Sequence, residues 1–334
     1  MGITKNKQYN SIDFFKIIMA IFVVAIHTHP FENYDLGSFE KTYNMILSCA
    51  VPFFFISTGF LLFERIHDLN NLEKIWHYLK KIIKLYCIWT IIYMPLTIYD
   101  YIVNDRSIKM SLFLFIRGLF FTGENYNSWI LWYLLSLIYS IFFIGILLKF
   151  KVSIIKIYII SIIFFIFGNT MDFLINNIES LHGIPKTMVK LYSLIFEKGR
   201  LCTGMFYVSA GIFITRNKIK INLVTCIFII LLGILCNFFS PSISVAIYSI
   251  TLFLIVLRIQ FKNNVIYGKL REASTVFYFL HMICWSFYTI IILNTPNHYG
   301  IDSFIITFIG CSILSVILIF LKRYQKFSWI KEIL

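Results

Sequence analysis

Long apolar stretches alternate with short polar segments along the whole chain. A helix needs about 20 apolar residues to cross roughly 30 Å of hydrocarbon, and most of these stretches approach that length. The pattern predicts an all-α polytopic membrane protein, a bundle of about ten transmembrane helices that forms one integral-membrane domain over residues 1–334. The predicted spans are 12–31, 44–64, 82–99, 129–149, 153–173, 201–215, 221–239, 243–258, 274–294 and 302–321.

One further apolar stretch, residues 110–121, is too short to cross a bilayer and contains Arg117. A stretch of this length is typical of an interfacial or re-entrant segment, and we expect that structure here. Composition supports the same class of protein, because hydrophobic residues make up 59% of the chain and charged residues only 14%. Soluble domains carry about 25% charged residues, so a soluble globular fold is excluded. The seven cysteines lack metal-ligand spacing, and we expect buried thiols and no metal site.

Lysine and arginine are divided unevenly between the two sides that a ten-span topology defines. The side with both termini holds 21 of the 30, the opposite side holds 8, and Lys16 lies within the first span. An excess of lysine and arginine in short loops marks the cytoplasmic side, so both termini are predicted to be cytoplasmic. The net charge of +14 is therefore a topology signal for a lipid bilayer and not a sign of nucleic-acid binding. High Ile, Lys and Asn usage indicates an AT-rich bacterium, and the expected location is its cytoplasmic membrane.

The first span carries an acid, a base and a histidine on one helix face. Asp13 and Lys16 are three residues apart and so share a helix face. His27 follows Lys16 by eleven residues, and at about 100° per residue the two side chains differ by only about 20° around the helix axis. Ionisable groups inside a span are costly and usually face a bundle interior or an aqueous cavity. A functional cavity is one interpretation, and a boundary ion pair with a packing histidine is the other.

Polar residues interrupt three other apolar stretches. Thr58 and Gly59 follow Pro52 in an aromatic span, which a kinked helix with a close-packed glycine would also explain. Trp132 and Arg200 open two predicted spans at the outer interface, where aromatic and arginine side chains are common. Each of these features has an ordinary structural explanation when it is taken alone.

A second histidine and a basic cluster lie near the predicted cytoplasmic side. His281 falls within the ninth span, where a hydrogen-bonded packing role is the simpler interpretation. Lys80, Lys81 and Lys84 begin the third span. They could anchor the helix at the headgroups, or they could form a phosphate site, since lysine is a good point-charge partner for phosphate.

Together these motifs resemble the acyltransferase-3 family, whose members O-acetylate cell-surface glycans. Lysine stands at position 16 where the family usually has arginine, and threonine stands at position 58 where serine is usual. The resemblance rests on Asp13, Lys16 and His27, on residues 52–55 and 58–60, on residues 132–134, and on Tyr278 with His281.

The resemblance implies an integral-membrane O-acyltransferase that moves an acyl group, expected to be acetyl, from cytoplasmic acetyl-CoA to a hydroxyl of a cell-surface saccharide or envelope polymer. His27 is then the implied general base, and Asp13 is expected to hold Lys16. The implied site residues are His27 and Asp13 for catalysis, Lys16, Lys80, Lys81 and Lys84 for the donor, and Thr58, Arg117, Trp132, Arg200 and His281 for the substrate.

A second function stays open, because residues 24–30 are most similar to a branch that includes the membrane half of vancomycin-resistance serine racemases. The alternative is a transporter or binder of a small amino acid such as L-serine. In that case Lys16 or Arg200 would face the amino-acid carboxylate, and no acyl donor would be needed.

Overall fold

The computed structural model describes residues 8–66, 72–238 and 240–333. Throughout these ranges the regular structure is helical and no strand occurs, which confirms the predicted all-α class. Lys5 and Lys7, which contribute to the predicted charge asymmetry, lie outside the described residues. The helices are α1 (Asn10–Thr28), α2 (Ser38–Ser48), α3 (Ala50–Glu64), α4 (Glu73–Val103), α5 (Ile108–Arg117), α6 (Leu131–Lys149), α7 (Ile154–Asn176), α8 (Gly183–Phe196), α9 (Arg200–Arg216), α10 (Leu223–Asn237), α11 (Pro241–Arg258), α12 (Val265–Ser286), α13 (Ile301–Leu321) and α14 (Ile330–Ile333).

Each predicted span falls on helical structure, although the span 44–64 lies over both α2 and α3, and the span 274–294 continues from α12 into a π-helical turn, Phe287–Ile292. Over the described ranges, eight helical segments are long and apolar enough to cross a membrane. The other two predicted spans correspond to α9, which has 17 residues, and to α10, which has 15. The predicted interfacial segment 110–121 forms the ten-residue helix α5 followed by a π-helical turn, Gly118–Thr122. The chain is therefore a multi-pass membrane protein.

Several helix boundaries differ from their predicted positions, and α4 and α12 each begin nine residues before the predicted span, at Glu73 and Val265. Two other boundaries are set by local features. Helix α1 ends at Thr28, because His29 adopts the left-handed conformation (φ 42°) and Pro30 cannot continue a helix. Its predicted end at residue 31 was therefore too late. Helix α3 begins at Ala50, so Pro52 lies in its first turn, where the missing N–H leaves no helical hydrogen bond unmade.

The helices form two compact units. The first unit contains the chain up to Phe54 and from Lys220 to Glu332. In it α1 packs against α12, α12 against α13, and α10 against α11. Hydrogen bonds fix both ends of α1: the Asn10 amide donates to the Asn263 side-chain oxygen (3.1 Å), and the Gly300 N–H donates to the Thr28 carbonyl (3.0 Å). These contacts hold α1 and its polar face rigidly within the unit.

The second unit runs from Phe55 to Ile219 and is built around α9, which packs against α6 and α7. Glycines allow the backbones to approach closely here. A Cβ at Gly59 would collide with the carbonyl oxygen of Val208, and Gly199 lies against the backbone of Gly168. Small residues at such contacts are the usual means of close helix packing in membranes. The structure thus confirms Gly59 as a close-packing glycine.

Candidate functional site

The polar face of α1 carries the residues that the first span predicted. Helix α1 is uninterrupted, so Asp13, Lys16 and His27 stay on one face as expected. Asp13 is buried, whereas Lys16 and His27 are partly exposed. Asp13 and His27 lie about 21 Å apart along the axis at 1.5 Å per residue, so the two implied catalytic residues do not meet.

Asp13 pairs with a residue that the sequence did not single out. The guanidinium of Arg271, on α12, lies 3.3 Å from the Asp13 carboxylate. The next residue on α12, Glu272, forms an ion pair with Lys322 beyond the end of α13. These two ion pairs connect α12 to α1 and to the residue after α13. The assignment of Asp13 as a catalytic residue stays a prediction.

His27 lies beside His281, and this contact joins predicted site residues on two different helices of the first unit. Their ring centroids are 5.2 Å apart and the ring planes are inclined by 32°. His281 is fully buried, and its Nδ1 lies 2.9 Å from the Phe277 carbonyl oxygen. A carbonyl can only accept, so Nδ1 carries the proton and Nε2 of the neutral ring is an acceptor. That Nε2 atom is buried and has no hydrogen-bond partner.

In the second unit, Glu124, Trp132 and Arg200 form an arginine–tryptophan cluster. Arg200 forms an ion pair with Glu124, and its guanidinium carbon lies 4.9 Å from the centroid of the Trp132 ring. The side chain of Glu124 is only 11% exposed. Burial raises the pKa of Glu124 above its ordinary value, although the charge of Arg200 opposes that shift. Sequence patterns did not identify Glu124, because it lies in a loop with no helical periodicity.

Thr58 is connected to this cluster through aromatic rings. Its hydroxyl lies 3.4 Å from the hydroxyl of Tyr133, the residue after Trp132. The ring of Phe55 contacts both Tyr133 and Trp132, at centroid distances of 4.5 and 6.1 Å. Three predicted substrate residues, Thr58, Trp132 and Arg200, thus belong to one continuous set of contacts.

Arg117 makes a separate ion pair. Its guanidinium lies 2.5 Å from the Glu197 carboxylate and also donates to the Leu194 carbonyl. Both predicted substrate arginines, Arg117 and Arg200, therefore already have a carboxylate partner. An arginine whose charge is balanced in this way is a poorer receptor for a second carboxylate than an unpaired one.

The three predicted donor lysines lie on an exposed face of α4. Lys80, Lys81 and Lys84 are all exposed, and at about 100° per residue they lie within roughly 100° of one another around the axis. The buried residues Ile82 and Tyr86 lie on the other side of the helix. We call the three lysines the α4 basic face. The α4 basic face therefore gathers three positive charges on an exposed surface.

Metal-binding residues do not gather in the described part of the chain, where no group of three His, Cys, Asp or Glu side chains is suitably placed. All seven cysteines are free thiols. The sulfur atoms of Cys284 and Cys311 lie 3.9 Å apart, which is a contact between α12 and α13.

Comparison with known proteins gives one family match that covers almost the whole chain. A family described as "Acyltransferase domain" matches residues 9–333. No solved structure matches the chain.

The curated relatives of the chain are named as racemases and not as acyltransferases. An "Amino-acid racemase" of Enterococcus faecalis is 26% identical over 353 aligned positions, which cover 96% of this chain and 47% of the relative. A second protein of that name and organism is 32% identical and covers 62% of this chain and 28% of the relative. A "Serine/alanine racemase" of Enterococcus gallinarum is 30% identical over 37% of this chain and 18% of the relative. The chain spans less than half the length of each.

Proposed function

The chain belongs to the acyltransferase-3 family, and from this premise we propose that it is a membrane O-acyltransferase. The donor is a cytoplasmic acyl-CoA, with acetyl-CoA as the expected species, and the acceptor is a hydroxyl of a cell-surface saccharide or envelope polymer. Family membership supports acyl transfer in general. The donor, the acceptor and the roles of individual residues are part of the proposal.

The observation that carries the proposal is the contact between His27 and His281. An imidazole side chain is well suited to general-base catalysis near neutral pH. His27 removes the proton of the acceptor hydroxyl while the oxygen attacks the thioester carbonyl carbon. A C–O bond forms, the C–S bond breaks, and the CoA thiolate leaves and receives the proton from His27.

His281 acts in this proposal as a positioning residue. Its Nδ1–H is held by the Phe277 carbonyl, which fixes the ring beside His27. Its unpartnered Nε2 presents an acceptor in a buried environment. Such an acceptor costs free energy unless something donates to it, which supports a role during turnover.

The α4 basic face is proposed to receive the phosphates of the donor. Lys80, Lys81 and Lys84 are exposed and lie on one side of α4, so a diphosphate can contact more than one ammonium group. Lys16 remains a proposed donor residue because it lies within the first span on the face that carries His27. The predicted orientation puts the lysines of α4 on the cytoplasmic side, where acyl-CoA is found.

The arginine–tryptophan cluster is proposed to receive the acceptor. Trp132 offers a flat apolar ring, and Glu124 and Arg200 offer a paired carboxylate and guanidinium. A sugar presents apolar C–H faces and hydroxyls, which fit a ring flanked by polar groups. Thr58 and Arg117 remain proposed substrate residues.

The second candidate is a transporter or binder of a small amino acid such as L-serine. The relatives named "Amino-acid racemase" and "Serine/alanine racemase" support an amino-acid ligand. The ion pairs of Arg117 and Arg200 weigh against an amino-acid ligand, because a carboxylate of the protein already balances the charge of each guanidinium.

The test of the donor assignment is equilibrium binding of acetyl-CoA to the purified protein in detergent. The wild type is compared with a Lys80/Lys81/Lys84→Ala variant. The matched control, Lys149/Lys156/Lys220→Ala, removes three exposed lysines from the same predicted side. Loss of charge-assisted contacts predicts at least about tenfold weaker binding for the first variant only.

Equal weakening in both triple variants would mean that only general positive charge matters and would contradict the donor assignment. A folded wild type that does not bind acetyl-CoA, yet takes up L-serine when reconstituted in vesicles, would favour the second candidate over the first.

A further inference from the structure

The end of α1 and helix α2 border a half-open cavity that none of the proposed roles uses. Its volume is about 530 Å³, and it is lined entirely by residues 25–48. Small-molecule sites commonly have volumes between about 300 and 1,000 Å³. We call it the α1–α2 cavity. Its size fits a monosaccharide or a similar small organic molecule.

The backbone between the two helices builds the cavity. His29 ends α1 in the left-handed conformation, and two turn hydrogen bonds follow, from Glu32 N–H to the His29 carbonyl (3.0 Å) and from Tyr34 N–H to the Phe31 carbonyl (2.9 Å). Gly37 then takes a positive φ of 51°, which glycine adopts readily and which turns the chain into α2. These turns fold α2 back against α1.

Three aromatic rings line the cavity. Phe31 contacts Tyr43 at a centroid distance of 5.3 Å and Tyr34 at 6.3 Å, with both pairs close to edge-on. Phe31 and Tyr34 belong to the segment between α1 and α2, and Tyr43 belongs to α2, so the rings line different parts of the cavity. Aromatic faces attract organic cations through the ring quadrupole.

The charged groups of the cavity are acidic. Glu32 and Glu40 line it together with His29, whose Nδ1 lies 3.9 Å from the Glu32 carboxylate. Among the described residues of the lining, none is lysine or arginine, although the chain as a whole carries a net charge of +14. The combination of two carboxylates and three aromatic rings selects for positive charge and against a carboxylate on the ligand.

We propose that the α1–α2 cavity binds a small molecule that carries a protonated amine, such as an amino sugar. The ammonium group lies against Glu32 and Glu40, and the rest of the molecule packs on Phe31, Tyr34 and Tyr43. A zwitterionic amino acid is disfavoured, since its carboxylate would meet two like charges. This ligand site does not depend on acyl transfer.

The experiment is saturation-transfer NMR with glucosamine as the probe and the purified protein in detergent. Glucose and N-acetylglucosamine are neutral probes with the same sugar ring, and L-serine is the zwitterionic probe. The site predicts saturable binding of glucosamine that is at least about tenfold tighter than that of each other probe. The two neutral sugars gain no charge-assisted contact or cation–π attraction, and the carboxylate of L-serine is repelled by the two glutamates.

Two variants test whether the binding belongs to the cavity. Glu32→Gln/Glu40→Gln removes both charges from exposed positions, and the expected result is at least about tenfold weaker glucosamine binding. Tyr34→Ala/Tyr43→Ala removes two rings, and a clear weakening is again expected. The control, Glu179→Gln, removes an exposed acid of the second unit and should bind as the wild type does.

Equal binding of glucosamine and glucose would overturn the proposal, and so would glucosamine binding that survives the double glutamine substitution. Neither outcome bears on acetyl-CoA binding, so failure of this site and failure of the acyltransferase proposal are distinguishable.

Discussion

At the residue scale, His281 is fully buried with one ring nitrogen bonded and the other without a partner. In His281→Asn the side-chain amide can still donate to the Phe277 carbonyl, while the Nε2 position is lost. We expect acyl transfer to fall at least about 100-fold, because His281 positions His27, the proposed general base, and general-base catalysis contributes about 100- to 10,000-fold. Acetyl-CoA binding should stay unchanged, because the substitution does not touch the α4 basic face.

The readout that separates these effects is the transfer rate at saturating acetyl-CoA, measured together with the dissociation constant for acetyl-CoA and the thermal midpoint. A merely structural role for His281 would instead lower the midpoint and leave the transfer rate of the folded fraction at the wild-type value.

Glu124 gives a prediction of pH dependence. Burial raises its pKa above the ordinary value of 4.5 despite the attraction of Arg200. Between those two pKa values the folded protein binds more protons than the unfolded protein, so the free energy of unfolding contributed by Glu124 falls as the pH rises through this window. Thermal midpoints of the wild type and of Glu124→Gln, recorded in detergent from about pH 4 to about pH 7, measure this contribution.

In Glu124→Gln, the part of the free energy of unfolding that falls with rising pH because of Glu124 should be absent. Glu179→Gln is a control of opposite sign, because the hydrogen bond from Lys186 lowers the pKa of Glu179. Its contribution is present above pH 4.5 and is lost as the pH falls below that value. A Glu124→Gln profile parallel to the wild type would contradict the assignment.

At the scale of the helices, Gly59 sets the approach of α3 to α9. A methyl group in Gly59→Ala would meet the Val208 carbonyl oxygen and force the two helices apart. We expect a loss of about 2 kcal/mol or more, comparable to overpacking of a well-packed core. Gly268→Ala in α12 is the control, since no atom lies within 4 Å of the added carbon. It should stabilise the protein by about 0.5–1 kcal/mol through helix propensity.

Thermal unfolding of both variants in one detergent tests the comparison. Equal midpoints for Gly59→Ala and Gly268→Ala would show that the close approach of α3 and α9 contributes little to stability.

The helices themselves follow from the sequence, because the length of an apolar stretch is fixed by the membrane and leaves little choice of structure. Residues 154–176 illustrate this, since α7 covers the predicted span 153–173 with ends that shift by at most three residues. The end of α1 was less predictable, because one residue, His29, takes an uncommon left-handed conformation.

The partners of the candidate site residues were much less predictable. His27 and His281 are about 250 positions apart in the sequence, and only the packing of α1 on α12 brings their rings together. Glu124 and Arg271 lacked any local signal, since one lies in a loop and the other contributed only to a charge count. Long-range pairing of this kind is decided by helix packing and not by local pattern.

At the scale of the whole molecule, the charge asymmetry predicts that both termini are cytoplasmic. Lys149→Cys and Lys190→Cys place one new exposed thiol on each predicted side of the membrane. In intact cells a membrane-impermeant maleimide should label the protein with Lys190→Cys and should label Lys149→Cys only after lysis. The unsubstituted chain gives the background from its own seven cysteines. The reverse labelling would invert the topology and exchange the donor and acceptor sides.

The most direct test of acyl transfer is the base-labile acetate on envelope saccharides of cells that express the protein. Wild type is compared with His27→Gln and with His182→Gln, an exposed histidine outside the predicted site. We expect acetate above the empty-vector level for the wild type and for His182→Gln, and a fall of at least about 100-fold in the initial rate of acetylation for His27→Gln. Acetate that accumulates in His27→Gln cells at the wild-type rate would contradict the role of His27 as the base, and a wild type that adds no acetate would contradict acetyl transfer itself.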